Sequence, residues 1–375
     1  MQMRLLTRLL DNGWTRVAGA LALALAPVFQ GCLRTDMDLR VKGYPGAEGY
    51  ESSLPGTEDP SLSGSDREEP MAESNKAFGI YQWNKDSTYQ DGLQGEISSL
   101  GTSPTYAMYF MDIDMAFPKD IIRFNATRNI NTILSQELRR YSNREDAHAL
   151  DSILAGKWDG QFRRFAREAK ASREVIYYRF GFEMNGDWFP WGEQPEKFAK
   201  AWKRAWKIFR EEKADNVRWV FSANVIWDEK TVKKDILPYY PGDKYVDIVG
   251  LDGYNFGDNH SRHHKWKSFS EVFKVSMDGL KRHFPRKPVW ITEIGCAEGP
   301  GKAEWIQDFL ARFTADPAVR VFIWFNEDKQ YAGEPNWRFD SDDDSLKKFR
   351  NWAIYNNSIT YFSLPKTSFG DEATE

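Results

Sequence analysis

From Lys76 onward, short runs of β-branched and aromatic residues alternate with longer segments whose apolar positions recur at helical spacing. That alternation predicts repeated strand–helix units around a parallel sheet. Eight runs read as strands: "AFGIYQW" (77–83), "TYAMYFMDI" (105–113), "DIIRFNA" (120–126), "EVIYYRFGFE" (174–183), "VRWVFSAN" (217–224), "VDIVGLD" (246–252), "PVWITE" (288–293) and "VRVFIWF" (319–325). Eight is the closing number of a (β/α)8 TIM barrel, and an α/β barrel over residues 76–356 is the predicted fold.

The helices differ in how clearly they can be read. In "QPEKFAKAWKRAWKIFREEKA", Phe198, Trp202, Trp206 and Phe209 share one face and most basic residues the other, which marks those rings as core. In "KAEWIQDFLARF", Ile306, Phe309, Leu310 and Phe313 face inward. The second and third units are weakest, because little helix fits between Ile113 and Asp120. There "NATRNINTILSQELRRYSNREDAHAL" reads as a long loop or broken helix, an insertion of the kind that builds a cleft.

Ahead of the barrel the pattern changes. Arg4, Arg8 and Arg16 precede the apolar run "VAGALALALAPVF", too short to span a bilayer, so residues 1–31 read as an export signal. The run stops at "FQGC", which resembles a bacterial lipobox, with Cys32 lipidated and first in the mature chain. Phe29 and Gln30 depart from that pattern, which leaves cleavage by an ordinary signal peptidase, or a retained leader, as alternatives. Residues 32–75, rich in Gly, Pro, Ser and acid, read as a flexible tether; a chain of about 43 such residues reaches roughly 35–40 Å. The expected location is the bacterial cell envelope, through a lipid anchor in a membrane. Leu33 in place of an aspartate favours the outer one. Residues 357–375 read as a C-terminal tail.

Composition adds three constraints. The formal charge of −4, which loss of residues 1–31 lowers by two, and the lack of a basic block argue against nucleic acid as a partner. Two cysteines, Cys32 and Cys296, leave no internal disulfide if the first carries lipid, so the fold stands on its core without one; a monomer is the expected state. Aromatic residues make up 15% of the chain; most read as core and some as a candidate binding platform.

Chemistry in a barrel sits at the C-terminal ends of the strands. The fourth predicted strand ends on Glu183, the seventh on Glu293 and the sixth on Asp252, with Tyr254 just beyond. Glycoside hydrolysis needs two carboxyl groups about one bond, separated by roughly 5–5.5 Å for retention and ~6.5–9.5 Å for inversion. Glu183 and Glu293 are candidates for that pair. Trp188, Phe189 and Trp191 come directly after Glu183 and offer flat faces to a sugar, or else pack the loop. Trp324, near the end of the eighth strand, is a candidate floor. Arg179 lies on the strand face of Glu183 by period-two alternation and either holds a carboxylate ionised or makes a structural ion pair.

"RFGFEMNGDWFPWG", "NVRWVFSAN", "YYPGDKYVDIVGLDGYNFG", "PVWITEIG" and "VFIWFNEDK…NWRFDSDDDSL" together resemble glycoside hydrolase family 26, typified by β-mannanases, in similar order through residues 77–356. The resemblance implies a retaining (β/α)8 hydrolase with Glu183 as acid/base, Glu293 as nucleophile and Tyr254 hydrogen-bonded to the nucleophile. It also implies Trp188 and Trp324 around the attacked sugar, a polysaccharide substrate and no cofactor. The chain departs from the family at Phe182, where a histidine is usual, and after the third strand, where a tryptophan-and-acid motif is usual. The expected substrate is a β-linked polysaccharide cut in endo fashion, mannan-like or, as those departures suggest, another β-glycan such as an exopolysaccharide of the same cell. A carbohydrate-binding protein on a retired barrel and a transglycosylase are the rival readings.

Three further signals are weaker. "HSRHH" puts His260, His263 and His264 at a spacing compatible with zinc, but a solvated loop needs no metal, and none is assigned. "DSDDDS" (340–345) reads as a cap of the last helix through Ser341 or an aspartate rather than as a calcium loop. Cys296 reads as a small core residue. If Cys32 carries the lipid, Cys32→Ser shifts the protein from the membrane to the soluble fraction on cell fractionation; unchanged membrane retention would exclude the anchor.

Overall fold

The structure is a computed structural model that describes residues 76–83, 86–258, 260 and 264–359. The expected leader, Cys32, the tether and all but three residues of the expected tail lie outside the described residues. Those three extend the last helix to Ile359.

Eight parallel strands close in chain order into a barrel. They are β1 (Ala77–Gln82), β2 (Tyr106–Met111), β3 (Asn131–Gln136), β4 (Ile176–Phe180), β5 (Val217–Asn224), β6 (Ile248–Asn255), β7 (Val289–Cys296) and β8 (Val319–Asn326). Helices α1 (Tyr89–Leu100), α2 (Lys119–Ala126), α3 (Ala149–Leu154), α4 (Asp159–Ser172), α5 (Pro195–Glu211), α6 (Phe269–His283), α7 (Lys302–Ala315) and α8 (Asp343–Ile359) fill the connections. The barrel predicted from the alternation is the barrel found, and β8 pairs back onto β1 from Ala77↔Val321 to Gln82↔Asn326.

The pattern misplaces one strand. Residues 120–126 form α2, and the third strand is "NTILSQ", inside the segment read as loop. Ile121 and Ile122 give α2 the β-branched look of a strand. Its buried residues, Ile122 and Asn125, are however three apart, the spacing of a helix face. Conversely, β3 buries Thr132, Ser135 and Gln136, polar residues that mask its strand character because part of their hydrogen bonding is inside the barrel.

The barrel has two apolar layers. Outside, α5 buries Phe198, Ala201, Trp202, Ala205, Ile208 and Phe209 against the sheet, with Trp206 at its margin beside Tyr245. On α7, Ile306, Phe309, Leu310 and Phe313 are all buried, as their spacing predicts. Inside, Tyr106, Tyr177 and Trp290 meet with ring centroids 5.0 to 5.2 Å apart and fill the barrel below the site. α6 opens with a Ser268–Glu271 capping box, and Asp342 accepts from the Ser345 amide at 2.8 Å at the start of α8.

Trp324 belongs to the outer layer. Its ring packs on Trp305, Phe309 and Phe349, and its Nε1 donates to the Trp337 carbonyl at 2.9 Å. Burying an indole of this size contributes on the order of 4–6 kcal/mol of transfer free energy, an upper figure. Trp324→Ala is expected to lower stability by about 3–5 kcal/mol. A fall in the urea midpoint without change in slope checks this.

Candidate active site

β4 ends at Phe180, three residues before Glu183. Gly181 turns the chain at φ +59°, and a Cβ there would lie 2.7 Å from Leu138 and 2.9 Å from Phe198. Glu183 itself has φ +52°, a left-handed conformation that glutamate adopts at a cost of about 1 kcal/mol or more. The turn is held from β5: the Glu183 amide donates to the Ser222 carbonyl at 2.9 Å. Asn185 exchanges two hydrogen bonds with the Asn224 backbone, at 2.9 and 3.0 Å.

The Glu183 carboxylate meets two neutral donors. Asn224 Nδ2 donates to Oε1 at 2.7 Å, and Trp188 Nε1 to Oε2 at 2.7 Å. Trp188 reaches back because its ring lies over Gly186, where a Cβ would sit 2.4 Å from the indole. Any side chain at 186 would push the ring off Glu183. Burial, then the charges of Asp252 and Glu293, raise the Glu183 carboxyl well above the usual carboxylate range.

Glu293 has the opposite surroundings. Arg179 Nη1 donates to its Oε1 at 2.5 Å, and the Tyr254 hydroxyl donates to Oε2. The other Arg179 nitrogen, Nη2, pairs with Asp252, which also accepts from Ser222 Oγ at 2.8 Å. β7 carries extra residues against both neighbours, Thr292 opposite the Leu251/Asp252 step of β6 and a second irregularity between Ile291 and Ile294 opposite β8, and such bulges re-aim side chains. Phe182 stacks on the same guanidinium, 4.2 Å from ring centroid to Cζ. It contributes an aromatic face where the resembling family has a hydrogen-bonding histidine.

The fold thus brings together Glu183, Glu293, Arg179, Tyr254 and Trp188. Trp191 and Trp324 are not brought to the site. Trp191 is fully buried, stacked on Phe189 with centroids 4.5 Å apart, and its Nε1 donates to the Phe182 carbonyl at 2.7 Å. It supports the loop from beneath. Trp324 points outward because alternation turns Phe325, one residue on, inward to Tyr81, Phe110 and Tyr254. Asn224, the last residue of β5, is a site residue that the sequence reading missed. The clue is that strand's polar terminus, which a reading confined to carboxylates passes over.

The discounted signals have ordinary places. His260 and His264 lie against Phe256, at 5.1 and 4.6 Å between centroids; His263 lies outside the described residues. Cys296 is buried, and burial pushes its thiol up to about 12. Across the mouth from β7, the real β3 leads into Glu137 and Arg139, paired at 2.6 Å. Arg144 joins Glu137 at 2.7 Å and Asp112 at 2.6 Å. The third strand therefore runs into a buried ionic network, which the misplaced strand hides from the sequence pattern.

Glu183 and Glu293, buried together at the C-terminal mouth of a closed parallel barrel, supply the pair of carboxyl groups that glycoside hydrolysis needs. Residues 147–282, a little over a third of the chain, match the model of glycosyl hydrolase family 26. It is 35% identical over 207 residues to Endoglucanase H of Acetivibrio thermocellus, covering 53% of this chain and 22% of that protein. Against a mannan endo-1,4-beta-mannosidase of Bacillus subtilis strain 168 it is 34% identical over 164 residues, 41% of this chain and 39% of the other. The chain therefore spans well under half the length of these relatives. Among solved structures, a modular endo-beta-1,4-mannanase from Cellulomonas fimi superposes with a TM-score of 0.57 at 20% identity, covering 74% of this chain and 70% of that one. A beta-mannanase from Bacteroides ovatus does so at 0.55 and 17%, covering 76% and 89%. At these identities the likeness is one of fold.

Asn224 donates to Glu183 and so favours its ionised form. Asn224→Ala is expected to raise the Glu183 carboxyl pKa further, by about one unit, the size of one lost hydrogen bond to a charged group. Carbon-13 NMR titration of labelled glutamate reads this; a downward shift would contradict the arrangement.

Proposed function

We propose that the chain is a retaining, endo-acting hydrolase of a β-linked polysaccharide, working through Glu183 and Glu293. The observation that carries this reading is the contrast between the two carboxyl groups. Glu293 is held by a cation and a phenol, which suits a group that stays ionised and attacks an anomeric carbon. Glu183 is held by neutral donors with its proton affinity raised, which suits a group that begins protonated.

In the first step Glu183 gives its proton to the leaving glycosidic oxygen while a Glu293 oxygen bonds to the anomeric carbon. In the second, Glu183 takes a proton from water, whose oxygen displaces Glu293 and restores both carboxyls. Double inversion leaves the product with the starting configuration. Endo action on a β-glucan or β-mannan backbone is supported by the names of the relatives, an endoglucanase and mannan endo-1,4-beta-mannosidases. Phe182 over Arg179 favours a glycan other than mannan, because that position offers no hydrogen bond to a sugar hydroxyl.

The test is reducing-end release by the full chain from mixed-linkage β-glucan, β-mannan and xylan. Glu293→Ala is expected to lower kcat by on the order of 10⁴ with the fold intact. Proton NMR of the first-formed product should show the β anomer. Near-normal turnover in that variant would sink the assignment, and an α anomer would make the enzyme inverting.

A further inference from the structure

β1 and β8 run in register to Gln82↔Asn326, so the next residues, Trp83 and Glu327, emerge side by side at the mouth. Tyr81 and Phe325, two residues earlier, point into the barrel with rings 4.6 Å apart. Alternation sends Trp83 and Glu327 the same way, above them. The loop after β8 then brings Tyr331 beside Trp83, with ring centroids 5.4 Å apart and planes tilted by 45°.

Tyr331 is 51% exposed, yet its hydroxyl donates at 2.6 Å to Oε1 of Glu327, which is 1% exposed. An exposed tyrosine ordinarily samples several rotamers, whereas this ring is tied by a short hydrogen bond to a buried carboxyl group. Its ordering cost is incurred on folding, before any ligand arrives. Lys329, beside the same carboxylate, is taken up by Glu334 at 2.6 Å. Tyr81, beneath Trp83, meets Phe325, whose ring lies 5.8 Å from that of Tyr254, the phenol that donates to Glu293, so the Trp83–Tyr331 pair borders the catalytic groups.

We propose that Trp83 and Tyr331 form a stacking platform for a neutral pyranose of the β-glycan, at least one unit removed from the bond that breaks. Glu327 is the positioning residue that pins the platform. The inference rests on the glycanase reading above. The rings present apolar faces, and the nearest charges are committed to partners beneath them, so the platform suits the C–H face of an uncharged sugar rather than a uronate.

Kinetics and affinity electrophoresis of the full chain in gels containing mixed-linkage β-glucan or β-mannan test this, with a 2,4-dinitrophenyl β-glycoside of the matching sugar as the short substrate. Trp83→Ala and Tyr331→Ala are each expected to raise KM on the polymer about tenfold, with kcat unchanged, and to abolish retardation in the gel. Tyr331→Phe, which keeps the ring and loses the pin, should raise KM only about threefold. Turnover of the short glycoside, which does not reach the platform, should stay at the wild-type level. Matched thermal melts exclude misfolding. Wild-type KM and retardation in both alanine variants would overturn the platform and leave the hydrolase reading standing, and so would an equal loss on polymer and short glycoside. Retardation that is lost in the variants, with no cleavage by the wild type, would keep the platform and overturn the hydrolase. A wild-type chain that neither binds nor cleaves either polymer would overturn both.

Discussion

A guanidinium with no exposure to solvent sits inside this barrel, and the mouth is organised around it. Arg179 pairs with Glu293 and Asp252, bonds Ser135 at 3.1 Å and is covered by Phe182. Enclosing such a charge costs several kcal/mol unless its donors are matched, and removing one partner of a buried pair typically costs 3–5 kcal/mol. Strands β3, β4, β6 and β7 must therefore arrive in one register, each with a polar group at the same height. The irregularities of β7 around Glu293 are the local adjustments that accompany this.

The loop carrying Glu183 is built on a second constraint, a backbone held against its own preference. Two left-handed residues in three, Gly181 and Glu183, lift the carboxyl off the strand path. The β5 backbone, Asn185 and the stack of Phe189 on Trp191 keep it there. Arg139, 5.2 Å from the Phe189 ring, ties that stack to the ionic network after β3. The position of Glu183 thus depends on residues from three neighbouring strands.

The barrel and both glutamates were legible because strand period, strand number and the placement of chemistry at strand ends all agree. The failures have physical reasons. α2 carries β-branched residues on a short helix, while β3 turns polar where it meets the barrel interior, so apolar content misleads at both. Trp324 stands out by its size near a strand end, but alternation gives the inner face to Phe325. Trp191 lies close to Glu183 in sequence, and a tight turn puts it under the loop. Trp83 and Tyr331 escape a linear pattern because they meet only across β1 and the loop after β8, whereas Asn224 is marked by the polar end of β5 and is passed over by a search for carboxylates alone.

The carboxylate cluster also bears on timing. In the proposed mechanism Glu293 becomes an ester midway, and its negative charge disappears. Part of the repulsion that raises the proton affinity of Glu183 goes with it, leaving Asp252 to balance Arg179. Glu183 then holds a proton less tightly during the interval in which it must remain ionised to activate water. When the ester breaks, the charge on Glu293 returns and so does the affinity of Glu183 for a proton. Under that mechanism the cluster works as an escapement, in which the state of one carboxyl resets the other.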